Sequence, residues 1–242
     1  KYKGAWVPDV PHIPLEIVSR IERAQKNAKA EVGVIEIGGT VGEYENILFL
    51  EAARMLKLRD PDSVRFVMVS YLPTPSSIGE MKTKPTQHSV RTLNASGIQP
   101  DIIIARSKEP IDEKRKEKIS FFCNVPIEQV ISAPDVKSIY DIPLNFEKEG
   151  IVKTLSKLLH LKISNKVSDS SKAWKKMTSI SHNAKDEVHI ALVGKYFDTG
   201  AFTLTDSYIS VIEAIKYSCY AQNKKPVIEW VNALEFEKSP AS

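Results

Sequence analysis

The sequence predicts an α/β protein: a doubly wound, mainly parallel sheet, followed by the first βαβ unit of a second α/β domain. Three observations carry this. Short β-branched runs alternate with helix-period segments through the first two-thirds of the chain. Those runs are apolar throughout rather than at every second position, which suits strands covered on both faces. A Ser/Lys-rich stretch then breaks the pattern, and a fresh strand–helix–strand succession follows it.

Taken in order, Leu15 to Lys29 predicts a helix, with Ile17, Ile21, Ala24 and Ala28 on one face. Val32 to Ile37 predicts the first strand, ending in a glycine-rich turn. Asn46 to Lys57 is apolar on most sides and predicts a well-buried helix. Val64 to Leu72 predicts the second strand, Ile102 to Ile104 the third, and Val130-Ile131 a weaker fourth. Thr86 to Ser96 predicts a helix closed by Gly97 as its C-cap, and Glu113 to Phe122 another. Pro143 to Leu161 closes the unit with a helix from about Lys148 to Leu159. Residues 162–186 read as a linker carrying a short amphipathic helix, Ser171 to His182. Residues 187–242 then offer a strand from Val188, a helix from Asp206 to Ala221 and a strand from Val227 to Val231. About 55 residues are too few for a complete layered core.

Composition bounds the function. Hydrophobic residues are 42% and charged residues 26% of the 242, a globular balance that excludes disorder, collagen and a disulfide scaffold. No apolar run approaches the ~20 residues of a membrane span, and Lys1 to Asp9 is not a signal peptide. The absence of a start methionine predicts a chain that begins mid-protein. The net charge of +4 is accounted for by the stretch from Lys157 to Lys176, with six lysines against one aspartate. That distribution argues against nucleic acid as a partner. Cys123 and Cys219 lie far apart without metal-type spacing, so a reducing, cytoplasmic setting is expected.

Two segments can carry chemistry. Glu36-Ile-Gly-Gly-Thr-Val-Gly-Glu43-Tyr44-Glu45 sets a carboxylate at a strand's C-terminal end before three glycines, where open α/β sheets bind ligands. Glu36 can hold Mg2+, a hard cation that takes oxygen ligands. The plainer reading is a glycine turn with solvated acids at a helix start. The second segment, Lys82-Thr83-Lys84-Pro85-Thr86-Gln87, puts two lysines and two hydroxyls at a helix N-terminus, where phosphate is favoured. Its plainer reading is Thr83 as a cap with solvated lysines. Lys118 follows a mixed-charge run and reads as a solvated face. Arg106 reaches either a ligand crevice or an acid. His12 and His88 are too isolated to build a metal site.

Glu36-Ile-Gly-Gly-Thr-Val-Gly, followed 46 residues after Glu36 by Lys82-Thr-Lys-Pro-Thr-Gln-His-Ser, is specific as a pair. With Gly97-Ile-Gln-Pro-Asp-Ile-Ile-Ile, Phe122-Cys-Asn-Val-Pro and Ser138-Ile-Tyr-Asp-Ile-Pro it closely resembles the CTP synthase family from about Lys3 to Leu161. The resemblance resumes at Ile190-Ala-Leu-Val-Gly-Lys-Tyr and Asp206-Ser-Tyr-Ile-Ser-Val-Ile-Glu-Ala, which is similar to the start of that family's class I glutamine amidotransferase domain. It implies a P-loop NTPase-like amidoligase (synthetase) domain, of which residues 1–161 are the C-terminal part, and a truncated glutaminase domain at 187–242. The implied reaction is ATP-dependent amination of UTP to CTP, with glutamine or ammonia as nitrogen donor and GTP as allosteric activator. A tetrameric homo-oligomer in the cytoplasm is implied, without a membrane partner.

By the same resemblance Glu36 is a Mg2+ ligand. Glu43, Tyr44 and Glu45, the run Lys82, Thr83, Lys84, Pro85, Thr86 and Gln87, and Lys118 match UTP/CTP-binding positions. Val136 matches a position whose backbone contacts ATP. The family usually has Gly-Asp-Ile-Glu where this chain has Gly42-Glu43-Tyr44-Glu45, and Phe197 to Thr205 is extra sequence. The family's phosphate loop falls upstream of Lys1 and its glutaminase Cys beyond Ser242. Cys219 is not that nucleophile, because no strand–elbow–helix with flanking glycines surrounds it. The expectation is an internal fragment, inactive by itself, with no catalytic residue of the glutaminase. Three other readings compete: a different P-loop amidoligase, against which the Lys82 run discriminates; a non-catalytic CTP/UTP-binding or assembly module; and a nucleic-acid binder.

Overall fold

The computed structural model describes residues 4, 6–77, 79–164, 167–195 and 205–234. Contacts divide the chain into two compact units, Lys1–Ile163 and Ser164–Ser242.

The first unit is α/β, with a parallel sheet of three strands in the order β1 (Val67–Leu72), β2 (Ile102–Ser107), β3 (Val130–Pro134). Helices α3 (Lys84–Ala95) and α4 (Glu113–Cys123) make the two crossovers that parallel pairing requires. Met68 and Leu72 of β1, Ile103 and Ala105 of β2, Val130 of β3, Val90 and Leu93 of α3, and Ile119 and Cys123 of α4 form one buried core. Gly97 adopts a φ of +75° just past α3, and Ile98 N–H donates to the Leu93 carbonyl, closing the helix as the sequence predicts. Asp112 caps α4 by accepting from the Arg115 N–H at 2.8 Å, and Asn124 ends it in the left-handed region.

Upstream, α1 (Asp9–Ala28) lies against α2 (Ile47–Arg59). The buried stripe of α1 is Pro14 and Val18, flanked by half-buried Ile17 and Ile21, whereas Ala24 and Ala28 are exposed. The predicted face therefore holds only in its N-terminal half. Helix α2 buries only Leu50 and Ala52 and leaves Ile47, Phe49 and Leu58 exposed. The strand predicted at Val32 to Ile37 is not formed, and Val34 is 96% exposed. A strand exists only as half of a hydrogen-bonded ladder, and among the described residues no neighbour pairs with this run. Ile37 alone packs on the core. Strand β1 is likewise covered on one side only, with Val67, Val69 and Tyr71 exposed. The helix predicted from about Lys148 to Leu159 forms as α6 (Ile151–Leu158), and a separate short helix, α5 (Ile142–Lys148), precedes it, the two parted at Gly150 with a φ of +79°.

In the second unit, α7 (Asp169–Asn183) occupies most of the segment read as a linker. It is followed by β4 (Glu187–Gly194), α8 (Ile209–Ala221) and β5 (Lys225–Asn232). β4 and β5 pair in parallel, so the predicted βαβ unit is present. Leu192, Ile212 and Cys219 are its buried apolar residues. Positions 197–204 of the extra sequence lie outside the described residues. Among those described, no helix is long and apolar enough to cross a membrane.

Candidate functional site

The turn after the Val32 run is organised by its own polar groups. The Glu43 N–H donates to the Thr40 carbonyl at 3.1 Å, and the Thr40 N–H donates to Glu43 Oε2 at 2.9 Å. That backbone bond holds the Glu43 carboxyl below the usual glutamate range. Gly39 has a φ of +83°, and a Cβ there would stand 2.8 Å from Glu43 Oε2. Only glycine permits both the conformation and the approach. Asn46 is buried, and its Nδ2 donates to the carbonyls of Thr40 at 2.8 Å and Gly38 at 3.4 Å. Sequence reasoning does not single out Asn46, because an amide four residues past the last glycine of a turn carries no periodic signal.

This leaves the acids facing different ways. Glu43 turns back into the loop. Tyr44, 93% exposed, and Glu45 point outward. Glu36 is exposed and makes no hydrogen bond or ion pair with the described residues. Among those residues no cluster of three His, Cys, Asp or Glu side chains is positioned to hold a metal.

The second segment lies at the C-terminal end of β1. The Lys82 N–H donates to the Pro73 carbonyl at 2.9 Å, tying the run to the loop that leaves the strand. The Thr86 and Ser70 hydroxyls are 2.8 Å apart in the core, so α3 is pinned to β1 at its first turn. Gln87 Nε2 donates to Thr83 Oγ1 at 3.1 Å, and both side chains are buried. The run thus divides by direction. Thr83, Thr86 and Gln87 serve the scaffold, while Lys82, Lys84 and Pro85 reach the surface. Pro85 stands in the first turn of α3, where its missing N–H costs nothing. Thr83 occupies the cap position, but its hydroxyl accepts from Gln87 rather than capping the backbone.

Helix α4 brings further positive charge to the same place. Lys82 Nζ lies 2.6 Å from Glu80 Oε2 and Arg115 Nη2 4.0 Å from Glu80 Oε1, while Arg115 Nε donates to the Met81 carbonyl at 3.3 Å. Lys82 first, then Arg115 and Lys118, hold the Glu80 carboxyl below its usual range. Lys118, read from its neighbours as a solvated face, is exposed but belongs electrostatically to the Lys82 segment. Arg115 was missed. Its signal is the three-residue spacing to Lys118, which sets both on one face of a helix.

The remaining candidates fall into place around this edge. Val136 is half-buried two residues beyond β3, at the same C-terminal edge of the sheet. β1 and β3 flank β2, so the Lys82 and Val136 loops leave strands roughly 10 Å apart. The glycine turn meets α3 from another side: a Cβ on Gly42 would come within 3.1 Å of Thr92 Cγ2. Six residues separate Thr92 from Thr86, about 9 Å along the helix. Arg106 pairs with Asp135 at 3.4 Å, the acid alternative of its two readings. Burial pushes the Cys123 thiol up to about 11, so it is not a nucleophile at neutral pH. What the edge offers chemically is a pair of lysines at a helix N-terminus, a setting that favours an anion, with the exposed Glu36 carboxylate, unpaired among the described residues, on a separate loop.

Comparison with known proteins adds a history to this geometry. The family model described as CTP synthase N-terminus matches residues 1–161. A CTP synthase of Thermococcus gammatolerans is 46% identical over 239 residues, 98% of this chain and 43% of the relative. One from Pyrococcus furiosus is 46% identical over 238 residues, 98% of this chain and 42% of the relative. One from a Synechococcus species, strain JA-3-3Ab, is 40% identical over 239 residues, 98% and 42% respectively. The chain therefore spans less than half the length of these relatives.

Proposed function

We propose, from the premise that this chain belongs to the CTP synthase family, that it carries the pyrimidine-nucleotide site of an enzyme that aminates UTP to CTP. The observation that supports this most is the cation cluster at the start of α3. Lys82 and Lys84 stand at the N-terminus of α3 at the C-terminal edge of a parallel sheet, and the charge of Lys118 on α4 is felt by the neighbouring Glu80, an arrangement suited to a triphosphate. Their lysines take the phosphates, the buried Thr83, Thr86 and Gln87 hold the backbone that presents them, and Pro85 stiffens the first turn. Outward-facing Tyr44 and Glu45 contribute to the nucleotide from the neighbouring loop, which Glu43 shapes from within. The Val136 backbone contacts ATP.

The chemistry explains why both nucleotides are needed. Oxygen at C4 of uracil is a poor leaving group. Transfer of the ATP γ-phosphoryl group to O4 releases ADP, and ammonia then displaces phosphate at C4 to give CTP. In the complete protein ammonia comes from glutamine, with GTP as activator. Glu36 suits Mg2+, which typically takes one or two carboxylates and completes its shell with water and phosphate oxygens. Bound there, Mg2+ would neutralise charge on the transferring phosphoryl group. Oligomerisation through a tetramer belongs to the same proposal.

Two measurements test it. The protein should bind UTP saturably, and Lys84→Ala or Lys118→Ala should raise the Kd about ten- to hundredfold with the fold unchanged, since charge-assisted contacts of this kind contribute about 1.5–3 kcal/mol. The chain extended to the length of its relatives should form CTP from UTP, ATP and Mg2+ with glutamine or ammonia. UTP binding unaffected by either lysine would overturn the site. Binding without turnover in the extended protein would favour a non-catalytic module.

A further inference from the structure

The polyphosphate subsite contains an acid of its own. Glu80 lies two residues before Lys82, with one carboxylate oxygen 2.6 Å from Lys82 Nζ and the other 4.0 Å from Arg115 Nη2. A carboxylate among cations meant for phosphate competes with phosphate. The Glu80 and Lys82 side chains are 58% and 36% exposed, so their pair is weak and readily exchanged. Arg115 is better anchored. Its side chain is 26% exposed, pairs with Asp112 on its own helix and donates from Nε to the Met81 carbonyl. It cannot follow a ligand, but it can receive a carboxylate that Lys82 gives up.

We propose that Glu80 is an internal counter-ion of this subsite, held by Lys82 and passed to Arg115 when a nucleoside triphosphate engages the lysines. The inference rests on reading the Lys82 run as a nucleotide site, and it adds two residues that the reading does not include. The exchange conserves ion pairs. Lys82 trades a single carboxylate for a polyphosphate of higher charge, and a modest side-chain rotation closes the 4.0 Å gap between Glu80 and Arg115. Glu80 thereby holds Lys82 in place and lowers affinity for the free anion, and Arg115 limits that loss.

The test uses the intact protein, with UTP and inorganic tripolyphosphate as separate probes in titration calorimetry at low and raised salt. Glu80→Gln should tighten both probes about two- to fivefold at low salt, the range of one partly exposed ion pair, and the gain should shrink as salt rises. Glu80→Ala should do the same. Arg115→Gln should weaken both about twofold, and should have no effect in the Glu80→Gln background, because Arg115 acts through Glu80. Unchanged or weaker binding in both Glu80 variants, with saturable UTP binding by the parent, overturns the counter-ion and leaves the nucleotide site standing. An Arg115→Gln loss that persists without Glu80 overturns the hand-over. Tripolyphosphate tightened by Glu80→Gln while UTP never saturates supports the counter-ion and overturns the nucleotide reading. Neither probe binding overturns both.

Discussion

Glu43 shows how one side chain can be read two ways. In the sequence it stands among three acids beside a glycine turn. In the structure its carboxylate is spent on the Thr40 N–H. That bond lowers its pKa, so its contribution to stability is full above the usual glutamate value and is lost as pH falls through the lower folded value. The stability advantage of the parent over Glu43→Gln, followed by urea melts across pH, should be present at neutrality and vanish in acid. Gly39→Ala should cost about 1–3 kcal/mol, because its φ of +83° and the 2.8 Å approach to Glu43 both resist a methyl group. A melt unchanged by that substitution would show that the loop relaxes freely.

Elements join where α3 meets β1. The run Lys82 to Gln87 mixes scaffold and site, and nothing in its composition says which residues face which way. The hydroxyl pair of Ser70 and Thr86 decides it. Thr86→Val strands the Ser70 hydroxyl in the core and should cost about 1–3 kcal/mol, with Ser70→Ala added to it restoring part of the loss. A double variant no more stable than Thr86→Val would assign the cost to packing instead. The predicted strand at Val32 to Ile37 failed for the complementary reason. Its apolar run was legible, but pairing is a property of two segments, and the run alone cannot supply the second. The helix predicted across residues 148–159 forms as α6, but it starts only after Gly150, whose positive φ parts it from α5 and which periodicity alone does not mark.

Across the whole molecule, the two compact units each have buried residues of their own: Ile103 and Ile119 in the first, Leu192 and Ile212 in the second. Calorimetry should resolve two transitions. Ile119→Ala should lower only one, by about 2–5 kcal/mol, and Leu192→Ala only the other. A single transition shifted by both would show one cooperative body. The sequence by itself determined the α/β class, the order of most elements, the glycine turn, the Lys82 run and the family, because periodicity, turn chemistry and motif are properties of neighbours along the chain. Only the tertiary structure decided that Arg115 shares Glu80 with Lys82, that Thr86 is internal, that Arg106 answers Asp135 and that Val32 to Ile37 stays unpaired. These are contacts between segments remote in sequence, set by how helices pack on a sheet, and no local pattern records them.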